Sequence, residues 1–212
     1  LNPVEPGVQQ RVAVLDASAD YAYFGLRTDD PATVVKIRLS DFTQVGTLTL
    51  GPGKGYCLSG VLDAAAGYAY FATGYSNTDS VATVVKVRLS DFTQAGALTL
   101  NPWESYAHCA VLDAAAGYAY FGTRAGIVKV RLSDFTRVGA LTRNPEEHGV
   151  DSLLLGALAG YAYFAAFTET GTGSGVVKVA LYKNQKDAVN ASRFTMPEPG
   201  GLTDVSFYSH AA

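Results

Sequence analysis

An eleven-residue stretch, VLDAAAGYAYF, occurs at residues 61–71 and again without change at residues 111–121. Looser copies stand at residues 14–24, VLDASADYAYF, and at residues 154–164, LLGALAGYAYF. Four copies at nearly regular spacing indicate tandem repeats. Such a period limits the fold more than any single motif does, because every copy must form the same unit of structure.

Alignment on this stretch divides the chain into four units, 1–50, 51–100, 101–143 and 144–196, with a remainder at 197–212. Each complete unit contains four short segments rich in β-branched and aromatic residues, separated by Gly, Asp, Ser or Asn. In the first unit these segments are AVLD (13–16), YAYF (21–24), VVKIRL (34–39) and VGTLTL (45–50). Such segments, with no helical period between them, predict four strands in each unit.

The two faces of these predicted strands are both apolar. Tyr21 and Tyr23 point to one side of their strand, whereas Ala22 and Phe24 point to the other. A sheet with two apolar faces must be covered on both sides, as a propeller blade is by its neighbours. We therefore predict an all-β, β-propeller fold: four four-stranded blades plus one extra C-terminal strand, in a single domain over residues 1–212.

The repeats resemble the YVTN-type bacterial β-propeller repeat. The resemblance lies in three motifs that follow one another in this order within a repeat: AVLDAAAGYAYFGT (110–123, from the third repeat), then VVKVRLSDFT (84–93) and AGALTL (95–100), both from the second. The repeats cover nearly the whole chain. The resemblance implies an inner strand, an Asp-containing turn, an aromatic strand, a Val-rich strand and an outer strand. It implies no particular function, because the residues that the family shares are structural. Propellers of this kind usually have more than four blades.

The remainder at 197–212 aligns with the first segment of a unit, so DVSFYSH (204–210) is predicted to be a first strand with no blade behind it. An unpaired apolar strand readily pairs with another chain, and exposed ends of repeat arrays normally need caps. We expect Val205, Phe207 and Tyr208 to form an assembly strand. Head-to-tail self-association would then give a closed oligomer or a filament.

Sequence variation among the units is concentrated in the connections after the second and fourth strands, which lie at one end of the blades. Variable loops on a rigid scaffold often bind ligands, and aromatic rings beside carboxylates suit a glycan or a protein. The alternative is neutral variation in exposed loops. The predicted ligand-binding residues are Tyr56, Tyr75, Trp103, Glu104, Tyr106, His108 and Glu147.

Two cysteines, Cys57 and Cys109, precede the first strands of adjacent units at similar offsets. A disulfide between them would suit an exported protein, and two buried thiols or a metal or redox role are the alternatives. Asn190 begins a formal glycosylation sequon, Asn-Ala-Ser. The sequence begins at Leu1 without methionine and shows no signal segment, so either a leader was removed or the chain is an excerpt. Both are compatible with export, and we expect an extracellular or cell-surface location.

Several function classes are disfavoured by the sequence. The net charge is −3 with no basic run, which disfavours nucleic acid. The uncharged stretch 152–168 is short for a membrane span. The three histidines, at 108, 148 and 210, occupy non-equivalent repeat positions, and no nucleophile or phosphate-loop motif is present. We expect no catalytic residue, no metal and no cofactor. A non-enzymatic assembly protein is favoured over a glycan- or protein-binding propeller and over an enzyme.

Overall fold

The structure is a computed structural model that describes residues 9–28, 31–74, 81–142, 147–156, 161–168, 174–180 and 190–195. Within these ranges the chain forms sixteen β-strands and no α-helix. No helix suited by length and apolarity to crossing a membrane occurs among them. The prediction of an all-β chain is confirmed. The extra strand at 204–210, with Val205, Phe207 and Tyr208, lies outside the described residues.

The strands form four antiparallel sheets, each following chain order. The first sheet contains β1 (Gln9–Asp16), β2 (Tyr21–Arg27), β3 (Thr33–Arg38) and β4 (Thr43–Thr49), and the second contains β5 (Cys57–Asp63), β6 (Tyr68–Thr73), β7 (Thr83–Arg88) and β8 (Thr93–Thr99). The third contains β9 (Cys109–Asp113), β10 (Tyr118–Thr123), β11 (Gly126–Arg131) and β12 (Thr136–Thr142), and the fourth contains β13 (Glu147–Gly156), β14 (Tyr161–Thr168), β15 (Ser174–Ala180) and β16 (Asn190–Thr195).

The chain folds as two compact structural units, residues 1–107 and residues 108–212, each of which contains the strands of two of the repeats. From here on, the first unit and the second unit denote these two. The first unit holds the first and second sheets, and the second unit holds the third and fourth. Each boundary drawn from the repeat, after residues 50, 100 and 143, falls between consecutive sheets. A single domain over residues 1–212 stays a prediction.

The duplicated stretch forms the hairpin between the first two strands of a sheet. At its turn the Asp63 carboxylate accepts a hydrogen bond from the Ala66 N–H at 3.0 Å, and Asp113 does the same for Ala116 at 3.0 Å. Gly67 closes the turn with φ of 76°, a conformation that glycine adopts without steric cost. The repeated Asp therefore has a structural role, which is to hold this turn.

In the first unit, the two sheets pack face to face. We call the side that carries the paired tyrosines the tyrosine face of a sheet, and the opposite side its phenylalanine face. Register and alternation place Tyr23 and Lys36 on the tyrosine face of the first sheet, and Phe71 and Val85 on the phenylalanine face of the second. These two faces share one core cluster: Val12, Val14, Tyr23, Ala32, Val34, Leu50, Cys57, Ala69, Phe71, Val85 and Val87.

In the first three sheets, the lysine on the tyrosine face lies over the tyrosine rings beside it. Lys36 Nζ lies 3.8 Å from the centre of the Tyr21 ring. The equivalent distances are 4.0 Å from Lys86 to Tyr68 and 4.0 Å from Lys129 to Tyr118. Such cation–π contacts allow a charged side chain to lie on a packed face.

Cys57 belongs to the core of the first unit and not to a disulfide. Neither Cys57 nor Cys109 is disulfide-bonded, so the bridge predicted between them is absent from the structure. The physical reason lies in packing: a Cβ built at Gly25 would be 2.6 Å from Cys57 Cβ and 3.2 Å from its Sγ, so the thiol is directed at the first sheet. Burial raises the pKa of the Cys57 thiol to about 12, which keeps it protonated and unreactive.

Candidate interaction surfaces

In the second sheet, the turn between β7 and β8 carries Phe92, whose ring contacts the first sheet. The Phe92 ring is tilted against the Tyr23 ring, with centroids 5.7 Å apart. A Cβ built at Gly46 would lie 2.8 Å from Cδ1 of Phe92. Glycine at position 46 therefore leaves a notch that the Phe92 ring occupies, and we call this arrangement the glycine notch.

This turn is held by a network that recurs in the first three sheets. Asp91 accepts hydrogen bonds from the Arg88 guanidinium at 2.8 Å and from the Thr93 hydroxyl at 2.8 Å. The threonine hydroxyl is the main cause that lowers the pKa of Asp91 below its usual value, and Arg88 adds to it. In the third sheet, Arg131 donates to both oxygens of Asp134 and is the main cause that lowers the pKa of Asp134 to about 2.

The network fixes a bulky residue in an unfavourable backbone conformation. Phe42, Phe92 and Phe135 have φ of 56°, 53° and 53°, where L-residues with a side chain are strained. In the second sheet this backbone conformation directs the Phe92 ring into the glycine notch. The same conformation recurs in the first sheet, where Phe42 is 60% exposed.

The phenylalanine face of the first sheet is open where its counterparts are covered. Phe24 and Val35 are partly exposed, whereas the equivalent Phe71 and Val85 are fully buried. In the third sheet the equivalent Phe121 is fully buried as well. The repeat letters are the same at these positions, so the difference lies in what covers each face.

Large exposed hydrophobic side chains are concentrated on the first sheet. Among the residues whose side chains the structure describes there are five, and four of them are Leu15, Leu39, Phe42 and Val45. In the second sheet the counterparts of three of these, Leu62, Leu89 and Phe92, are partly buried and pack against the shared core. Ala22 and Ile37 on the same face are buried. We therefore define the open face by its exposed and partly exposed members: Leu15, Phe24, Val35, Leu39 and Phe42.

A second candidate surface lies on the loops of the first unit. The Glu104 N–H donates to the Asn101 carbonyl at 3.1 Å, which closes a turn with Pro102 and Trp103 at its centre. Trp103 has φ of 76° and is 84% exposed. Proline followed by a left-handed residue is the pattern of a type II turn, whose third residue is normally glycine. The equivalent turn at residues 51–54 has Gly53 there, also with φ of 76°.

The remainder of this loop is firmly anchored. The Glu104 carboxylate is buried and accepts the Asn101 N–H at 2.8 Å, so this predicted ligand-binding residue also holds the turn under Trp103. The buried Ser59 hydroxyl donates to the Ala107 carbonyl at 2.6 Å. Hydrogen bonds therefore hold the loop at the turn itself and at Ala107, while the Trp103 side chain stays exposed.

Two tyrosines of the predicted ligand set flank the same glycine. The Gly74 N–H donates to the Tyr56 carbonyl at 3.2 Å, and a Cβ built at Gly74 would be 3.1 Å from Tyr106 Cα. Tyr56 and Tyr106 also have positive φ, 40° and 52°. Three aromatic residues on two loops are thus held in left-handed conformations, and such strain is concentrated at functional sites.

The other predicted site residues are distributed as follows. The structure brings Tyr56, Trp103, Glu104 and Tyr106 into the loops of the first unit. His108 precedes β9 in the second unit and is partly exposed, Glu147 begins β13, and Asn190 begins β16. Tyr75 lies outside the described residues. Within the described ranges, no three His, Cys, Asp or Glu side chains are grouped as metal ligands would be.

The open face was missed in the sequence. A signal was present, because Phe42 and Leu39 repeat the residues that pack in later copies. The letters alone did not show that the first copy differs from the second and third in having its phenylalanine face uncovered.

Comparison with known proteins identifies the fold. No known family model matches the sequence, and no curated protein sequence matches it significantly. The structure is similar to Kuenenia stuttgartiensis hydrazine synthase with a TM-score of 0.72 and 7% identity, over 87% of this chain and 53% of that one. It is similar to a chain of a nidogen/laminin complex with a TM-score of 0.60 and 9% identity, over 88% of this chain and 65% of that one.

The Swd1 β-propeller domain of Myceliophteria thermophila is also similar, with a TM-score of 0.58 and 10% identity, over 100% of this chain and 90% of that one. These likenesses show a β-propeller fold built of four-stranded repeats. The chain spans less than two thirds of the first two of these structures. They include an enzyme and a complex between proteins, so the fold is compatible with either kind of function.

Proposed function

We propose that this chain is a non-enzymatic propeller building block, similar to the YVTN-type repeats, whose copies associate head-to-tail at a cell surface or outside the cell. The observation that carries the proposal is the open face: Phe24 and Val35 are partly exposed at positions where Phe71 and Val85 are fully buried. Exposed apolar side chains grouped on one face mark interaction sites in soluble proteins.

The proposed partner surface is the fourth sheet of a second copy. Tyr161, Tyr163 and Lys178 repeat the tyrosines and lysine of the first sheet, and Tyr163 pairs with Lys178 as Tyr23 pairs with Lys36. Within the first unit, a phenylalanine face packs on a tyrosine face that carries these residue types. A contact of this kind between copies is heterologous, so it produces a ring or a filament. The strand predicted at 204–210 would add a further contact.

Light scattering and electron microscopy of the purified chain test this proposal. We expect particles heavier than the 22.3 kDa chain, and we expect Leu15→Glu to reduce them to single chains. Leu15 is 60% exposed, so a carboxylate there is tolerated by the fold but not by an apolar contact. Ala65→Glu, in an exposed turn of the second sheet, is the matched control and leaves the mass unchanged. Single wild-type chains at every concentration would overturn the proposal.

A glycan-binding role is the second candidate, and the conformation of Trp103 favours it. A tryptophan at 84% exposure, in a position where the equivalent turn uses glycine, gains little packing in return for its strain. An exposed aromatic ring offers a stacking platform to the apolar side of a sugar ring. On a glycan array, we expect Trp103→Ala to abolish binding and Trp103→Phe to retain part of it. Equal binding by the wild type and Trp103→Ala would remove this candidate.

A further inference from the structure

We infer that Phe42 anchors the contact between copies, and that residue 192 of the second copy makes this contact weaker than the contact between the first and second sheets. This inference rests on the proposed head-to-tail association. It adds that residue 192 determines how strongly the copies bind, and therefore whether the assembly is reversible.

Phe42 is held ready for such a contact. The Arg38 guanidinium donates to Asp41 at 2.9 Å, and the Thr43 hydroxyl donates to Asp41 at 2.7 Å. Arg88, Asp91 and Thr93 make the same bonds around Phe92. The two turns are therefore built alike, and in both the phenylalanine keeps a strained positive φ. In the second sheet the ring packs against the preceding sheet, whereas in the first sheet it is 60% exposed.

The partner of Phe92 shows what such a ring requires. Gly46 stands opposite Lys36 in the register, and a Cβ there would lie 2.8 Å and 3.1 Å from two ring atoms of Phe92. Lysine and glycine are paired in the same way in two further sheets, Lys86 with Gly96 and Lys129 with Gly139. The glycine notch therefore recurs as a register position in three sheets.

The fourth sheet departs from this pattern at this position. Lys178 is paired with Ser192 and not with glycine. Every residue except glycine carries a Cβ, and contacts under 3.0 Å are not tolerated without a shift. If a Phe42 ring approached Ser192 of a second copy as Phe92 approaches Gly46, it would come too close to the Cβ of Ser192 and would have to move away. We therefore expect the contact between copies to dissociate and re-form while the first and second sheets of each chain remain packed.

Analytical ultracentrifugation of four variants tests the inference. We expect Ser192→Gly to strengthen association by about tenfold and Phe42→Ala to weaken it by about tenfold, as substitutions at interface anchors do. In a double-mutant cycle, Ser192→Gly should have no effect on the Phe42→Ala background, because the glycine acts through the ring. Ser192→Ala keeps the Cβ and is the matched control, with association unchanged. The chains are produced without glycosylation, because Ser192 completes the sequon at Asn190.

The outcomes separate this inference from the proposed function. Wild-type association with no effect of Ser192→Gly overturns the inference and leaves head-to-tail assembly standing. Tightening by Ser192→Gly that persists with Phe42→Ala also overturns it, since the ring is then not involved. Single wild-type chains at every concentration overturn both, even where Ser192→Gly associates, because the natural chain then makes no contact that Ser192 could weaken. Single chains for every variant overturn both. Unfolding by urea, measured for each variant, confirms that the compared chains are folded.

Discussion

The first and second sheets have nearly the same sequence, yet they are buried to different extents. Their tyrosine faces are alike, since Tyr23 and Tyr70 are each 1% exposed. Their phenylalanine faces differ: Phe71 is inaccessible, whereas Phe24 is partly exposed. A repeat's contribution to stability therefore depends on its neighbours, because hydrophobic stabilisation follows the apolar area removed from water.

The largest expected difference is between equivalent phenylalanines. Phe71→Ala should lower the free energy of unfolding by about 3–5 kcal/mol, as cavities left by buried aromatic side chains do. Phe24→Ala should cost less than about half of that, because part of the ring is already in water. Urea unfolding of both variants, on the Leu15→Glu background to suppress association, measures the difference. Equal losses would show that the open face is covered in solution.

A smaller difference is expected at the residue after each of these phenylalanines. A Cβ added at Gly25 would be 2.6 Å from Cys57 Cβ, so Gly25→Ala should cost about 1–3 kcal/mol through overpacking. The second sheet has a fully buried alanine at the equivalent position, Ala72. There the reverse change, Ala72→Gly, should cost roughly 0.5–1 kcal/mol through chain entropy. Thermal unfolding checks both, and a stabilising Gly25→Ala would contradict the observed contact between the sheets.

The turn phenylalanines should respond differently to glycine. Phe92→Gly removes a ring that packs on Tyr23 and should cost about 2–3 kcal/mol, of which relief of strain recovers a part. Phe42→Gly removes an exposed ring from the same strained conformation, so stability should rise, by less than about 1 kcal/mol. Both are compared by urea unfolding on the Leu15→Glu background. A large loss in Phe42→Gly would show that the ring packs within its own chain.

The smallest expected effects concern pH. The pKa values of Asp41, Asp91 and Asp134 are lowered in the folded chain, so these carboxylates stabilise the fold above their unfolded pKa, near 4. This contribution is lost as the pH falls from about 4 through the folded pKa, which is about 2 for Asp134.

We expect Asp134→Asn to flatten the acid limb of a plot of melting temperature against pH between about 4 and 2. Asp91→Asn should flatten it less, since Arg88 donates to one oxygen of Asp91 whereas Arg131 donates to both oxygens of Asp134. Ala64→Asn introduces the same amide in an exposed turn of the second sheet without removing a carboxylate, so it is the control and should leave the acid limb unchanged. An unchanged acid limb in Asp134→Asn would contradict the pKa assignment.

Much of the fold could be predicted from local sequence. The Asp-to-Gly turns, the alternation of tyrosine with alanine and phenylalanine, and the repeat length together specified four-stranded antiparallel sheets. The prediction of a disulfide was wrong, because similar offsets of Cys57 and Cys109 say nothing of the direction of each thiol. For the loops, sequence variation drew attention to Trp103, but the strain of its type II turn became visible only in the backbone.

Local sequence specifies the strands, their order within each sheet and the apolar character of both faces. Those properties follow from local hydrogen bonding and from the alternation of side chains along a strand, which a segment carries wherever it lies. Which faces are covered, and which phenylalanine lies in a glycine notch, depends on how the sheets pack against one another. Identical residues at equivalent positions of the first and second sheets differ in burial, because burial depends on the neighbouring sheet and not on the segment itself.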